Sequence, residues 1–208
     1  MALKTENTAS PSIKDEIAAL KRERTIAAAV ELFYEHGYEN TTLDAVAEVL
    51  GVTKPFIYAH FGSKAELLAE ICGRGISSSL QAINDALALR ASPTRRLKVL
   101  AENFVTSVLE NQKHIAIFAR EEKNLAKADF ARISDMRRAF DKKLLHILNM
   151  GLESGEFEMD DPPLAALAIG GMVSWAYVWY RPKGRMSVPE LADRMSELIL
   201  SMVGAKSD

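Results

Sequence analysis

The chain has 208 residues, 48% of them hydrophobic and 26% charged, and a formal net charge of −2. That length suits one or two domains with a sizeable core, and the composition is that of an ordinary globular protein rather than a disordered or strongly basic one. No uninterrupted apolar run reaches membrane-spanning length, the N-terminus lacks a signal-peptide core, and the lone Cys72 can form neither an internal disulfide nor a cysteine-based zinc site. These readings predict a cytoplasmic protein with no membrane partner, no cofactor and no metal, in which Cys72 is a buried small hydrophobe.

Strand signals are nearly absent and helical periodicity is nearly continuous, so the predicted class is all-α with about nine helices. Residues 1–11, polar and with Ser10-Pro11, read as a disordered arm. The first helix spans Ile13 to His36, with Ile26, Val30 and Phe33 on one buried face and Gly37 as its stop. Thr41 and Asp44 have capping-box spacing, which starts the second helix near Thr42 with Leu43, Val46, Ala47 and Leu50 inward. Gly51 permits a tight turn. Thr53 is placed to cap a short third helix that has Pro55 in its first turn and Ile57 and Phe61 in the core. Ser63 and Glu66 repeat the capping-box pattern and open a fourth helix, about Lys64 to Leu89.

Ser92-Pro93 opens a fifth helix to about Glu110, striped by Leu97, Leu100, Phe104 and Val108. A short helix follows around Lys113 to Lys123. The seventh, about Phe130 to Ser154, carries Ile133, Phe140, Leu144 and Leu148 and stops at Gly155. Asp161-Pro162-Pro163 starts an eighth helix that runs to about Tyr180. Ser187 and Glu190 start the ninth, ending near Val203. The predicted domains are 12–68, a three-helix unit, and 69–208, a helical bundle joined to it through the fourth helix.

The second and third helices have the proportions of a helix-turn-helix, whose second helix enters the major groove. The first 67 residues hold seven Lys/Arg against ten Asp/Glu, so overall charge does not favour DNA there. Placement does: no acid occurs between Glu48 and Glu66, while Lys54, His60 and Lys64 do. Lys54 can donate to guanine O6 and N7, and Pro55 or Phe56 can touch a thymine methyl. Thr42, Thr53, Tyr58 and His60 are candidates for the same surface, mostly as phosphate contacts that set register. Lys64, at the start of the fourth helix, and Arg22, on the outer face of the first, complete the set.

The order ELFYEHGYENTTLDAVAEVLGVTKPFIYAHFGSKAELL resembles the DNA-binding domain of the TetR family of bacterial repressors. The match runs from about Arg22 to Leu68. It is carried by Phe33, Gly37-Tyr38, Thr41-Thr42, Ala47, Gly51-Val52, Tyr58, His60-Phe61 and Lys64. The chain departs from the usual pattern at Ala59, where a polar residue is common, and at Pro55, where a small residue is common. The resemblance implies a dimer on a palindromic operator, with recognition helices about 34–36 Å apart.

A regulator needs two states of different DNA affinity, and the bundle can supply a ligand pocket. Candidate lining residues are Phe104, Val108, Ile117, Phe118, Met136 and Phe140, with Met172 and Trp175 from the eighth helix. Methionine and aromatic side chains suit an adaptable apolar ligand. Segments 119–125, 151–157 and 160–200 resemble the branch of the family that controls fatty-acid or steroid catabolism. That resemblance implies an acyl-CoA or another hydrophobic acid as effector, with Arg120, Arg137 or Arg138 meeting its phosphates or carboxylate. The last two helices are long and apolar and are the expected dimer interface, through Leu167, Gly171, Val178 and Trp179, then Leu191, Met195, Leu198, Ile199 and Met202.

The competing classes are an enzyme and a helical ligand-binding or adaptor protein that does not read DNA. The chain lacks HExxH, a P-loop, GxSxG and a dinucleotide glycine fingerprint, and His36, His60, His114 and His146 are scattered. An adaptor would have no special use for an acid-free third helix.

Overall fold

A computed structural model describes residues 12–206, and the arm expected at 1–11 lies outside the described residues. All regular structure among the described residues is helical. The chain forms two units, one through Leu67 and one from Leu68.

The first unit holds α1 (Ile13–His36), α2 (Leu43–Leu50), α3 (Lys54–His60) and the start of α4 (Lys64–Ala88). α1 begins at a full capping box that the sequence reading missed. The Ser12 hydroxyl accepts from Asp15 N–H, and the Asp15 carboxylate accepts from Ser12 N–H at 3.1 Å. Only from Thr25 onward does α1 bury side chains. Ile26, Ala29, Val30 and Phe33 of α1 are buried, as are Val46, Ala47, Ile57, Phe61 and Leu67, and together they form the core of this unit. The Tyr38 ring meets Phe33 edge-on at 5.4 Å.

Local capping differs from the sequence reading at three places. Thr42, not Thr41, caps α2, its hydroxyl accepting from Ala45 N–H at 3.1 Å. Thr41 is buried and donates instead to the carbonyls of Gly37 (2.9 Å) and Leu32 (3.3 Å), which ties the α1–α2 loop to the end of α1. Thr53 holds the N-cap position of α3 but makes no side-chain cap. At α4, Ser63 accepts from Glu66 N–H, while the Glu66 carboxylate reaches past Ser63 to Gly62 N–H at 3.0 Å. The α2–α3 turn needs Gly51, whose φ of 65° is costly for a residue with a Cβ.

The second unit holds the rest of α4, then α5 (Pro93–Glu110), α6 (Gln112–Glu121), a 3₁₀ turn (Glu122–Asn124), α7 (Lys127–Glu153), α8 (Pro162–Ser174), α9 (Ala176–Trp179) and α10 (Val188–Met202). Ser92 caps α5 through Arg95 N–H, and Ser187 with Glu190 makes a full capping box on α10. The core runs between α5 and α10 and continues onto α7 and α8, through Leu97, Leu100, Phe104, Leu144, Leu148, Val173, Leu191, Met195 and Ile199. On its rim the Lys98 ammonium pairs with Glu197 of α10.

α7 starts three residues before the expected Phe130, capped at Ala126 without a side-chain bond. The stretch expected as one helix to Tyr180 is divided at Trp175, so ten α-helices occur among the described residues, counting the four-residue α9. The Gln112 amide of α6 donates to the carbonyls of Tyr177 (2.7 Å) and Tyr180 (3.1 Å) there, satisfying groups that a continuous helix would have used internally. One expectation is corrected by composition: the window Pro162–Trp179 is long and apolar enough to cross a membrane. Its core-facing side, including Ala166, Ile169 and Val173, packs within the second unit.

Candidate nucleic-acid interface and ligand cavity

The tight turn at Gly51 sets the N-terminus of α3 beside α2, leaving Thr53, Lys54, Pro55, Tyr58 and Ala59 exposed, with Thr42 of the α2 cap also exposed. The Tyr58 side chain is 53% exposed. Phe56 and His60 are half-buried and stack edge-on at 4.8 Å, and the Lys21 ammonium lies 5.3 Å over the Phe56 ring. Thr41, Thr42, Tyr58, Gly62, Ser63 and Lys64 share one shallow surface depression at the start of α4.

Three of the expected contacts have other commitments. The Lys64 ammonium donates to the carbonyls of Tyr38 (2.9 Å) and Thr41 (3.0 Å) and sits 4.2 Å over the Tyr38 ring. It therefore braces the α1–α2 loop. Arg22 donates to the His60 carbonyl at 3.1 Å and lies 4.4 Å over the Phe61 ring, placing a cation at the C-terminal end of α3 where the helix dipole favours it. Lys54 pairs with the Asp44 carboxylate of α2. The stretch between Glu48 and Glu66 is free of acids in sequence but not in space. Hydrogen bonding to Asp44 holds the Lys54 pKa above its ordinary value, so the charge is present at all relevant pH. Both partners are exposed, and a surface pair of this kind is readily exchanged for a phosphate or base.

In the second unit a cavity of about 360 Å³ lies between α4, α5, α6, α7 and α8. Five of the expected residues line it: Phe104 and Val108 of α5, Phe118 of α6, and Arg137 and Phe140 of α7. The Phe104 and Phe140 rings meet at 4.6 Å, and the Arg137 guanidinium lies 5.3 Å over Phe118. The other expected residues do not line it. Ile117 is fully buried but outside the lining, and Met172 packs against the core. Arg120 is exposed, Met136 lies beside Arg132, and Trp175 is 60% exposed.

The sequence reading missed the α4 wall of Cys72, Gly75, Ile76 and Ser79, the whole α8 wall, and Ile115, Ile133 and Asp141. The Ser79 hydroxyl, buried, donates to the Gly75 carbonyl at 3.2 Å and lies 3.4 Å from the Ser107 hydroxyl. Asp141 shares the wall with Arg137; burial holds its carboxyl above its ordinary value, and the Arg137 charge offsets this only in part. Among the described residues no group of His, Cys, Asp and Glu is placed to hold a metal.

Burial, reinforced by the charges of Glu121 and Glu122, pushes the Cys72 thiol from its ordinary 9.0 to about 12. The nucleophilic thiolate is then absent near neutral pH. Iodoacetamide is expected to leave Cys72 unmodified in the native protein at neutral pH and to alkylate it after unfolding in guanidinium, as read by mass spectrometry. Rapid native alkylation would show an accessible thiol. Between pH 9.0 and about 12 the unfolded thiol ionises before the folded one, so this group's contribution lowers stability as pH rises.

The expected interface residues divide. Leu167, Val178, Trp179, Leu198 and Met202 are exposed, together with Leu164 and Trp175. Leu191, Met195 and Ile199 are buried in the core of their own chain, because the inward stripe of α10 packs on α5, and they offer no surface to a partner. Gly171 is exposed and also borders the cavity.

Residues 26–71 match the family described as bacterial regulatory proteins, tetR family, and residues 90–203 match the tetracyclin repressor-like C-terminal domain. The chain is 26% identical to the HTH-type transcriptional repressor KstR2 of Mycobacterium tuberculosis H37Rv over 183 residues, covering 86% of this chain and 91% of the relative. A crystal structure of a tetR-family regulatory protein from Rhodococcus RHA1 superposes with a TM-score of 0.80 at 30% identity, covering 90% of this chain and 98% of that one. AibR, crystallised with isovaleryl coenzyme A and operator DNA, shares the fold with a TM-score of 0.74 at 23% identity, over 89% of this chain and 100% of that one.

Proposed function

We propose how regulation is carried out by this chain, which belongs to the TetR family of bacterial regulatory proteins. It is a cytoplasmic repressor that binds a palindromic operator as a dimer and is released by a hydrophobic effector such as an acyl-CoA. The observation that carries this reading is that α4 belongs to both units. Its first residue, Lys64, braces the α1–α2 loop, and its later residues Cys72, Gly75, Ile76 and Ser79 form a wall of the apolar cavity. A ligand that moves that wall acts on the helix that carries the DNA-reading unit. Support for the effector class comes from the apolar cavity with Arg137 in its wall, and from a fold that in AibR accompanies both a coenzyme A thioester and operator DNA.

On DNA, Lys54 exchanges Asp44 for a base edge or phosphate, and Tyr58, Thr42 and Thr53 contact the backbone. Lys54→Ala is expected to weaken operator binding by about tenfold or more and to lower the salt dependence of binding. A shift assay against the DNA upstream of the gene, at two salt concentrations, measures both. Unchanged affinity and slope would remove Lys54 from the interface. The dimer forms through the exposed apolar face of α8, α9 and α10, and sedimentation as a monomer at micromolar concentration would exclude it. Calorimetry against a panel of acyl-CoAs tests the effector. Equal operator affinity with and without a bound acyl-CoA would refute release by this class.

A further inference from the structure

α8 carries two consecutive glycines inside a helix, where glycine costs stability relative to alanine. Two other helical glycines of the second unit have a packing reason. A Cβ at Gly75 would stand 3.1 Å from Ile115, and one at Gly151 would overlap the Phe157 ring at 1.9 Å. At Gly170 and Gly171 a Cβ would meet nothing within 4 Å. Both line the cavity, on the face of α8 that they share with Leu167 and Ser174 at the i, i+3, i+4, i+7 spacing. Because both line the cavity, the open space in front of them adjoins it. Gly171 is exposed and also borders the exposed apolar face, whereas Gly170 is half-buried.

We propose that Gly170, with Gly171 at its edge, keeps one wall of the cavity open and so sets the bulk of apolar chain the effector site admits. The inference rests on reading this cavity as the effector site. A side chain at position 170 would occupy space that the distal part of a long apolar ligand fills and that a short one does not reach. The charged groups at the cavity that can meet an ionic end, Arg137 and Asp141, are on α7. Selection at Gly170 would thus act on the apolar part of the ligand and leave recognition of its head to another helix.

The test compares the wild type, Gly170→Ala and Gly170→Leu by calorimetric titration with butyryl-, octanoyl- and palmitoyl-CoA. Gly170→Leu is expected to lose about tenfold or more in affinity for the longest chain the wild type binds, with little change for shorter ones, and Gly170→Ala to show a smaller shift in the same direction. Because Gly170→Ala adds one methyl in open space, it covers the case in which the leucine variant fails to fold, which circular dichroism would reveal. The dye anilinonaphthalenesulfonate gives a second arm that asks only for an apolar cavity and is expected to bind Gly170→Leu about tenfold more weakly. If no acyl-CoA binds the wild type but dye binding falls in the variant, the effector class is wrong and the wall assignment stands. Unchanged chain-length preference and dye binding in folded Gly170→Leu would overturn the proposal. So would a variant that sediments as a monomer while keeping the wild-type preference, since the glycine would then serve contact between copies.

Discussion

Phe33→Ala is expected to abolish operator binding by unfolding the first unit while leaving the second folded. Phe33 is fully buried, as are Ile26, Val46 and Ile57 of the same unit, and its ring packs edge-on against Tyr38. Truncating such a phenylalanine costs about 3–5 kcal/mol, the lost transfer energy plus the cavity left behind. A unit of this size, scaled per residue, holds about 3–8 kcal/mol in all. The substitution therefore removes most of what keeps α2 and α3 in place. Scanning calorimetry should show the first unit's transition lost or moved below working temperature, with the second unit's transition and ligand binding retained. Wild-type operator affinity in this variant would mean that the α2–α3 unit draws its stability from elsewhere.

Gly151→Ala is expected to destabilise the second unit, although the same exchange in an ordinary helix interior is favourable. The Phe157 ring lies directly on the α7 backbone. A Cβ at position 151 would fall 1.9 Å from its Cδ2 and 2.5 Å from its Cγ. Contact so close to the root of the ring cannot be relieved by rotating its far end. Moving Phe157 also strains its backbone bond to the Gly151 carbonyl and the adjoining bond from Glu158 N–H to the Val203 carbonyl, both 3.0 Å. Overpacking of this kind costs about 1–3 kcal/mol. Gly170→Ala, in open space, should gain about 1 kcal/mol from helix propensity. For a chain of this length each kcal/mol moves the thermal midpoint by about 2–4 °C. The two alanine variants should therefore shift in opposite directions in one melting experiment. A rise for Gly151→Ala would show that the Phe157 packing is not the constraint described.

What the sequence conveyed depended on whether the determinant was local. The starts of α5 and α10 were legible because Ser92-Pro93 and Ser187 with Glu190 carry their own caps. The choice between Thr41 and Thr42 was not, because both can cap, and Thr41 is withdrawn by carbonyls at the end of α1. The break at Trp175 has no glycine or proline to announce it and is accompanied by a glutamine more than 60 residues earlier. Charges were visible as charges, but not that Lys64 and Arg22 turn inward to carbonyls or that Lys54 finds Asp44. In the cavity the sequence found the α5 wall, Phe104 and Val108, and half of the α7 wall, Arg137 and Phe140. It misplaced α8, which is apolar on nearly every side, so that periodicity could not say which side faces the cavity.

Trp175 and Trp179 are the only two tryptophans in the sequence, and both are exposed, at the end of α8 and in α9. Nearly all the indole emission of this protein therefore comes from one surface, with no label attached. Hydrated indoles emit toward the red, and the same rings covered by a second apolar surface emit toward the blue. Diluting the protein while recording its emission maximum is then a binding isotherm for whatever covers that face.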